Sequence, residues 1–129
     1  MTNIRYAPLA LRLILGIIFI SHGYSKLATP TGFIQFFTHV GIPVPHVAVP
    51  VIGLIELIGG ISLLLGFGIR IFASLLVIEM IVAILTAKIS MGLVGGYEFE
   101  LALIAGLISL ILSGSGAISI VNGKVKIAE

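Results

Sequence analysis

Apolar residues run along this chain in four long blocks, each interrupted by few polar positions and closed by glycine or proline. Blocks at residues 8–27, 48–66, 71–88 and 97–113 have the length a helix needs to cross a bilayer, about 17–25 residues for roughly 30 Å of hydrocarbon. Pro8 and Pro50 fall in expected first turns, where a missing amide hydrogen costs nothing. Gly66-Phe67-Gly68 predicts a tight turn, residues 92–96 a looser one, and Gly114-Ser115-Gly116 the exit from the last block. Between the first two blocks, Phe33, Phe36, Phe37 and Val40 recur at helical spacing after Thr31, an expected N-cap, until Gly41 and Pro43 stop the segment. It reads as a short helix lying flat in the membrane interface. The expected architecture is an all-α membrane fold: a four-transmembrane-helix bundle with an interfacial helix in its first loop, in a single domain over residues 1–129.

Composition points the same way. Hydrophobic residues make up 59% and charged residues 9% of 129 positions, against roughly 25% charged in a soluble domain. A soluble fold of this size hides only about two-thirds of its surface, too little for such a chain. The net charge of +2 is small and no basic run interleaves with aromatics, which argues against nucleic acid as a partner. The absence of cysteine excludes disulfides, thiolate metal sites and thiol redox chemistry on this chain. The first block reads as a retained span rather than a cleaved signal, because His22 and Lys26 interrupt its end and no small-x-small site follows.

Basic residues set an expected direction. Arg5, Arg12, Arg70, Lys124 and Lys126 fall on one side of the spans, Lys26 and Lys88 on the other. The positive-inside rule then places both termini in the cytoplasm of a multi-pass cell-membrane protein, with residues 28–47 outside. Arg12 and Arg70 open matching spans, and residues 60–66 echo 106–114, a faint sign of two repeated halves.

Ionisable groups in lipid are costly, so they are expected to face the bundle interior and pair. In the first span Arg12, Gly16, Phe19, Gly23 and Lys26 share a stripe, with His22 on its flank. Gly53, Glu56 and Gly60 share a face of the second span, and Glu79, Ala83, Thr86 and Ser90 one of the third. In the fourth, Glu98 lies on a small-residue face with Ala102, Ala105 and Ser109, expected to point inward. Glu100 lies with Ile104, Leu107 and Ile111, expected to face lipid and snorkel. By depth, His22, Lys26, Glu56 and Glu98 gather in the outer half of the bundle, while Arg12 and Glu79 form a structural ion pair in the inner half. Haem is not supported, since His22 is the one histidine inside a span, and no metal-ligand spacing, phosphate loop or nucleophile elbow occurs.

The chain resembles the DoxX family. The resemblance lies in Leu11-Arg12, Leu15-Gly16, Phe19, His22-Gly23 and Lys26-Leu27, then Gly41-Ile42-Pro43, Glu56-Leu57-Ile58-Gly59-Gly60, Leu63-Leu64-Leu65-Gly66 and Arg70. Gly95-Gly96-Tyr97-Glu98 and Gly114-Ser115-Gly116 complete it, whereas Ser119-Ile120-Val121 stands where the family carries an aspartate. The resemblance implies a four-helix membrane protein, some of whose relatives are subunits of thiosulfate:quinone oxidoreductase or of an archaeal terminal quinol oxidase. It implies recurrent polar positions at Arg12, His22, Lys26, Glu56 and Glu98. The expected function is a membrane subunit of a quinone-linked oxidoreductase, with His22, Lys26, Glu56 and Glu98 at the quinone headgroup. No cofactor is legible in the chain itself, and quinone is the one the resemblance admits. Electrons then come from a redox partner subunit; membrane lipid and a second copy of the chain are the other expected partners. The alternative is a non-catalytic scaffold or assembly factor whose polar cluster is structural.

Overall fold

The computed structural model, described over residues 3–121 and 123–127, turns all four apolar blocks into helices. Helix α1 spans Tyr6–Ala28, α2 Pro30–His39, α3 Pro45–Leu65, α4 Ile69–Ala83 and α5 Glu98–Ser113. Helix α4 continues through a π turn at Ile84–Lys88 and a 3-10 turn at Ile89–Met91. The Leu93–Tyr97 segment is irregular, with non-helical backbone at Val94, Gly95 and Gly96, and leads into α5. Four helical stretches among the described residues are long and apolar enough to cross a membrane: Tyr6–Ala28, Pro45–Leu65, Ile69–Met91 and Leu93–Ser113. Their outer faces expose Ile14, Ile17, Ile71, Ile78 and Leu112, as a fold solvated by lipid permits.

Two sequence expectations shift at helix starts. Helix α2 begins at Pro30 with Thr29, not Thr31, before it, because proline suits the first turn. The Thr29 hydroxyl donates back to the Ser25 carbonyl at 3.0 Å instead of capping α2. Pro45 likewise opens α3 early, which leaves Pro50 inside that helix rather than in its first turn.

Glycines bring α1 and α3 into backbone contact. A Cβ on Gly23 would sit 2.5 Å from the Leu57 nitrogen and 2.6 Å from the Gly53 oxygen. One on Gly60 would sit 2.7 Å from the Ile20 nitrogen and 2.8 Å from the Gly16 oxygen. Such small-residue contacts are how helices associate in lipid, where no hydrophobic drive between them remains.

Helices α4 and α5 form the second pair, and they pack differently. Leu103, Ile104, Leu107 and Leu110 of α5 fill the core against Ala73, Leu76 and Met80 of α4, with Leu15, Phe19 and Leu63 from the first pair. The expected faces of α5 are therefore reversed. Ala102, Ala105 and Ser109 are exposed, while Ile104, Leu107 and Glu100 are buried. The gap beside α4 demands volume, and leucines supply it; small residues permit close approach without compelling it.

One arrangement of charges occurs in both pairs. Arg12, early in α1, donates to the Leu63 and Leu64 carbonyls at the end of α3, at 2.8 and 3.0 Å. Arg70, early in α4, donates to the Ile111 carbonyl near the end of α5 at 3.0 Å. Lys26 late in α1 meets Glu56 of α3, and Lys88 late in the third span meets Glu100 of α5. Each arginine thus satisfies carbonyls that a helix C-terminus leaves unpaired. The faint sequence repeat has this geometric content.

Past Gly116 the chain forms an antiparallel hairpin of β1 (Ile118–Val121) and β2 (Lys124–Ile127). The Ala117 amide donates to the Arg5 carbonyl at 2.8 Å, and Arg12 Nη1 donates to the carbonyls of Ser115 and Ile118. The tail is thereby fastened to the start of α1.

Candidate functional site

Away from the Arg12 end, the two helix pairs separate around a cavity of about 1040 Å³. Phe33 and Phe37 of α2 line it, which puts the interfacial helix over the space. Most of the lining is apolar, including Phe19, Ile55, Met80 and Leu103.

Polar groups converge on it from both pairs. Lys26 Nζ lies 3.1 and 3.0 Å from the two carboxylate oxygens of Glu56, a bidentate contact between residues 7% and 2% exposed. The same ammonium sits 5.0 Å from the centre of the Phe33 ring, a cation–π contact that favours a charge held out of water. The Glu79 carboxyl makes a side-chain contact with that of Glu56. One Glu79 oxygen is buried with no hydrogen-bond partner among the described residues. His22 is exposed at the cavity wall, its ring stacked on Phe99 at 6.0 Å between centroids. From the second pair come Lys88 and Glu100, joined at 3.2 Å.

Of the four residues expected at a site, the structure gathers His22, Lys26 and Glu56 at one cavity. Glu98 is not among its lining residues. It is exposed in the first turn of α5, where its Oε1 accepts from the Gly95 amide at 3.3 Å, a favourable place for an acid beside the positive end of a helix. Glu100, expected to face lipid, is 8% exposed and lines the cavity instead. The smaller face was the wrong guide, and Lys88 helps hold Glu100 inward.

The expected Arg12–Glu79 ion pair does not form. Arg12 is 1% exposed, and it donates to the carbonyls of Leu63, Leu64, Ser115 and Ile118. Depth explains this. Glu56 precedes the end of α3, and Glu79 follows the start of α4, by about ten residues each, so both lie roughly 15 Å from the connecting turn. Arg12 lies level with that turn, against Gly66, whose positive φ of 75° ends α3.

Lys88 and Glu100 were missed as site residues, the first read only as a topological charge and the second as lipid-facing. The signal that pointed to them was the match of Arg12 with Arg70. Carried one step further, it pairs Lys26–Glu56 with Lys88–Glu100.

A two-pair helical bundle with buried acid–base pairs around an apolar cavity defines a class of small multi-pass membrane protein. The DoxX family model matches residues 7–89, and the chain belongs to the DoxX family. A protein of Bacillus subtilis (strain 168) that bears the name "Putative oxidoreductase CatD" is 42% identical over 107 residues, covering 83% of this chain and 78% of its own. The "Uncharacterized membrane protein Rv3486" of Mycobacterium tuberculosis (strain ATCC 25618 / H37Rv) is 30% identical over 122 residues, covering 84% of this chain and 75% of its own. No solved structure matches the chain.

Proposed function

We propose that this protein is a membrane subunit of a quinone-linked oxidoreductase and that the cavity holds the quinone headgroup. The observation that carries this reading is the combination of a space of about 1040 Å³, mostly apolar, with the Lys26–Glu56 pair in its wall. Ligand sites of this kind pair apolar linings with a few convergent polar groups. An isoprenoid quinone is apolar except at its head, and it reaches a protein through the bilayer. His22 and Lys26 are the donors available to a quinone oxygen. Glu56 and Glu79 both line the cavity and bring two carboxyl groups to the same wall. Glu79 takes the place first expected for Glu98. The oxidoreductase name of the Bacillus relative supports the chemistry in outline. Electrons are supplied by a partner subunit, since no side chain here is a redox centre.

In this reading the protein resides in the cell membrane with both termini cytoplasmic, which puts the cavity in the outer half of the bilayer. Reporter fusions at Asn3 and Gly41 check the direction; a cytoplasmic Gly41 reverses it. The site itself is tested with His22→Ala. His22 stacks on Phe99 beside the main packing, so the substitution leaves folding near wild type and lowers bound quinone about tenfold, the scale of one lost hydrogen bond. Normal occupancy in a destabilised protein would support the scaffold reading and contradict the site.

A further inference from the structure

The two arginines that open the helix pairs have unequal surroundings. Each is tied to the far end of its partner helix, Arg12 to the Leu63 and Leu64 carbonyls and Arg70 to that of Ile111. The tail then completes Arg12, whose Nη1 donates to the carbonyls of Ser115 and Ile118, and the residue ends 1% exposed. Arg70 receives no such completion among the described residues. It is exposed, its Nε alone is bonded, and neither Nη has a hydrogen-bond partner.

Arg70 lines a cleft of about 430 Å³ on the outside of the second pair, together with Gly68, Ile69, Ile71, Gly114 and Ser115. Gly114 puts no side chain over the guanidinium; a Cβ there would touch Nη2 at 3.7 Å. The cleft lies between the start of the third span, at Ile69, and the end of the fourth, at Ser113. Spans begin and end at the headgroup layer, so it lies there whichever way the protein is inserted. Ile71 and Leu112 beside it are 69% and 77% exposed, apolar surface that faces hydrocarbon. An arginine at a span end extends its head toward the interface, where the abundant anionic acceptor is a lipid phosphate. Its planar fork suits phosphate oxygens, which take two N–H donors at once.

We propose that the Arg70 cleft is a phospholipid site, in which the two Nη groups hold the headgroup phosphate and an acyl chain lies along Ile71 and Leu112. The recognised chemistry is a phosphodiester anion carried on an apolar tail. The site is separate from the cavity and stands or falls independently of the quinone reading. The internal repeat gives it its place: the acceptors that the tail supplies to Arg12 are supplied to Arg70 by lipid.

The test is lipid binding to the full chain, delipidated in a phosphate-free maltoside detergent and read by native mass spectrometry. The probes are phosphatidylglycerol, the diacylglycerol with the same chains, and inorganic phosphate added as a competitor. Wild-type protein is expected to bind phosphatidylglycerol at least about tenfold more tightly than diacylglycerol. Equimolar inorganic phosphate is expected not to displace it, because the free anion lacks the chain. Arg70→Gln is expected to bring phosphatidylglycerol down to the diacylglycerol level. Arg70→Lys keeps the charge without the fork and is expected to lose about threefold or more. Lys124→Gln, which removes an exposed charge from the tail, is expected to change binding by less than about twofold. Equal binding of the two lipids by wild-type protein overturns the proposal, since apolar contact alone then accounts for it. Displacement by inorganic phosphate overturns the lipid assignment in favour of a free-anion site. Equal losses in Arg70→Gln and Lys124→Gln, or none in either, show diffuse attraction and overturn it as well. Should Arg70→Gln fail to fold, Arg70→Lys, which retains a donor for the Ile111 carbonyl, takes its place against Lys124→Gln.

Discussion

The two ends of this bundle handle buried charge in opposite ways. At the turn between α3 and α4, Arg12 donates to carbonyls from the end of α3 and from the tail, and Ser115 Oγ donates to the Gly66 carbonyl at 3.1 Å. These bonds tie one segment to another, and the core above them is filled by Leu63, Leu76, Leu107 and Leu110. At the other end, two lysine–glutamate pairs border the cavity, and carboxyl oxygens of Glu79 and Glu100 have no hydrogen-bond partner among the described residues. The first end meets its hydrogen-bond demands internally, as structural polar groups do. The second leaves demands open, which natural proteins tolerate chiefly where something binds. The same arginine–lysine–glutamate plan occurs in both helix pairs, and under the proposed function it serves stability at one end and recognition at the other.

The sharpest way to break that division is to remove Arg12. Arg12→Met keeps the stem and deletes the donors, leaving buried carbonyls of α3 and the tail unsatisfied. The expected loss is on the order of 3–5 kcal/mol, read by denaturant unfolding in detergent. A loss below about 1 kcal/mol would show that water replaces the guanidinium and that this end is not closed.

Glycines give the next largest contrast. Gly60→Ala forces a Cβ into the backbone of α1 and is expected to cost about 1–3 kcal/mol. Gly32, beside the cavity, has nothing within 4 Å of its would-be Cβ. Gly32→Ala should be neutral or slightly stabilising, since alanine favours a helix. Equal thermal shifts for the two variants would erase the difference in packing.

The smallest effect separates the two acids of α5. Glu100→Gln is expected to cost about 1 kcal/mol, held low because the Lys88 side chain is 33% exposed and water can take up its charge. Glu98→Gln should stay within about 0.5 kcal/mol, as for other exposed positions. The opposite order would restore the small-residue face as the inner one.

Much of the fold was legible because the bilayer imposes a coarse rule. Length and apolarity located four spans, and the Phe33–Phe36–Phe37 spacing located α2. The Gly16, Gly23, Gly53 and Gly60 contact was also readable, since glycine on one stripe has few other uses in a lipid-facing helix. The site was legible in part. Lys26 and Glu56 lie on the small-residue faces of their spans and in the same half of the bundle, and such groups meet. The fate of α5 was not, because helical spacing gives two faces and only the volume left beside α4 selects between them. Nor were the partners of Arg12, since backbone carbonyls at a helix end carry no side-chain signature. The π turn that aligns Lys88 with Glu100 likewise depends on how the third span meets the fourth.

The central claim is that the open end holds a quinone, and filling the cavity tests it most directly. Ala83 lines the space and lies at the end of α4, clear of the Arg12 network and of both lysine–glutamate pairs. Quinone content is to be measured on wild-type and Ala83→Trp protein purified in mild detergent from membranes that contain quinone, with thermal stability followed on the same samples. The account predicts retained quinone in the wild type and a loss of about tenfold or more in Ala83→Trp, at near-equal stability. Undiminished quinone in a folded Ala83→Trp protein, or none in the wild type, would contradict it.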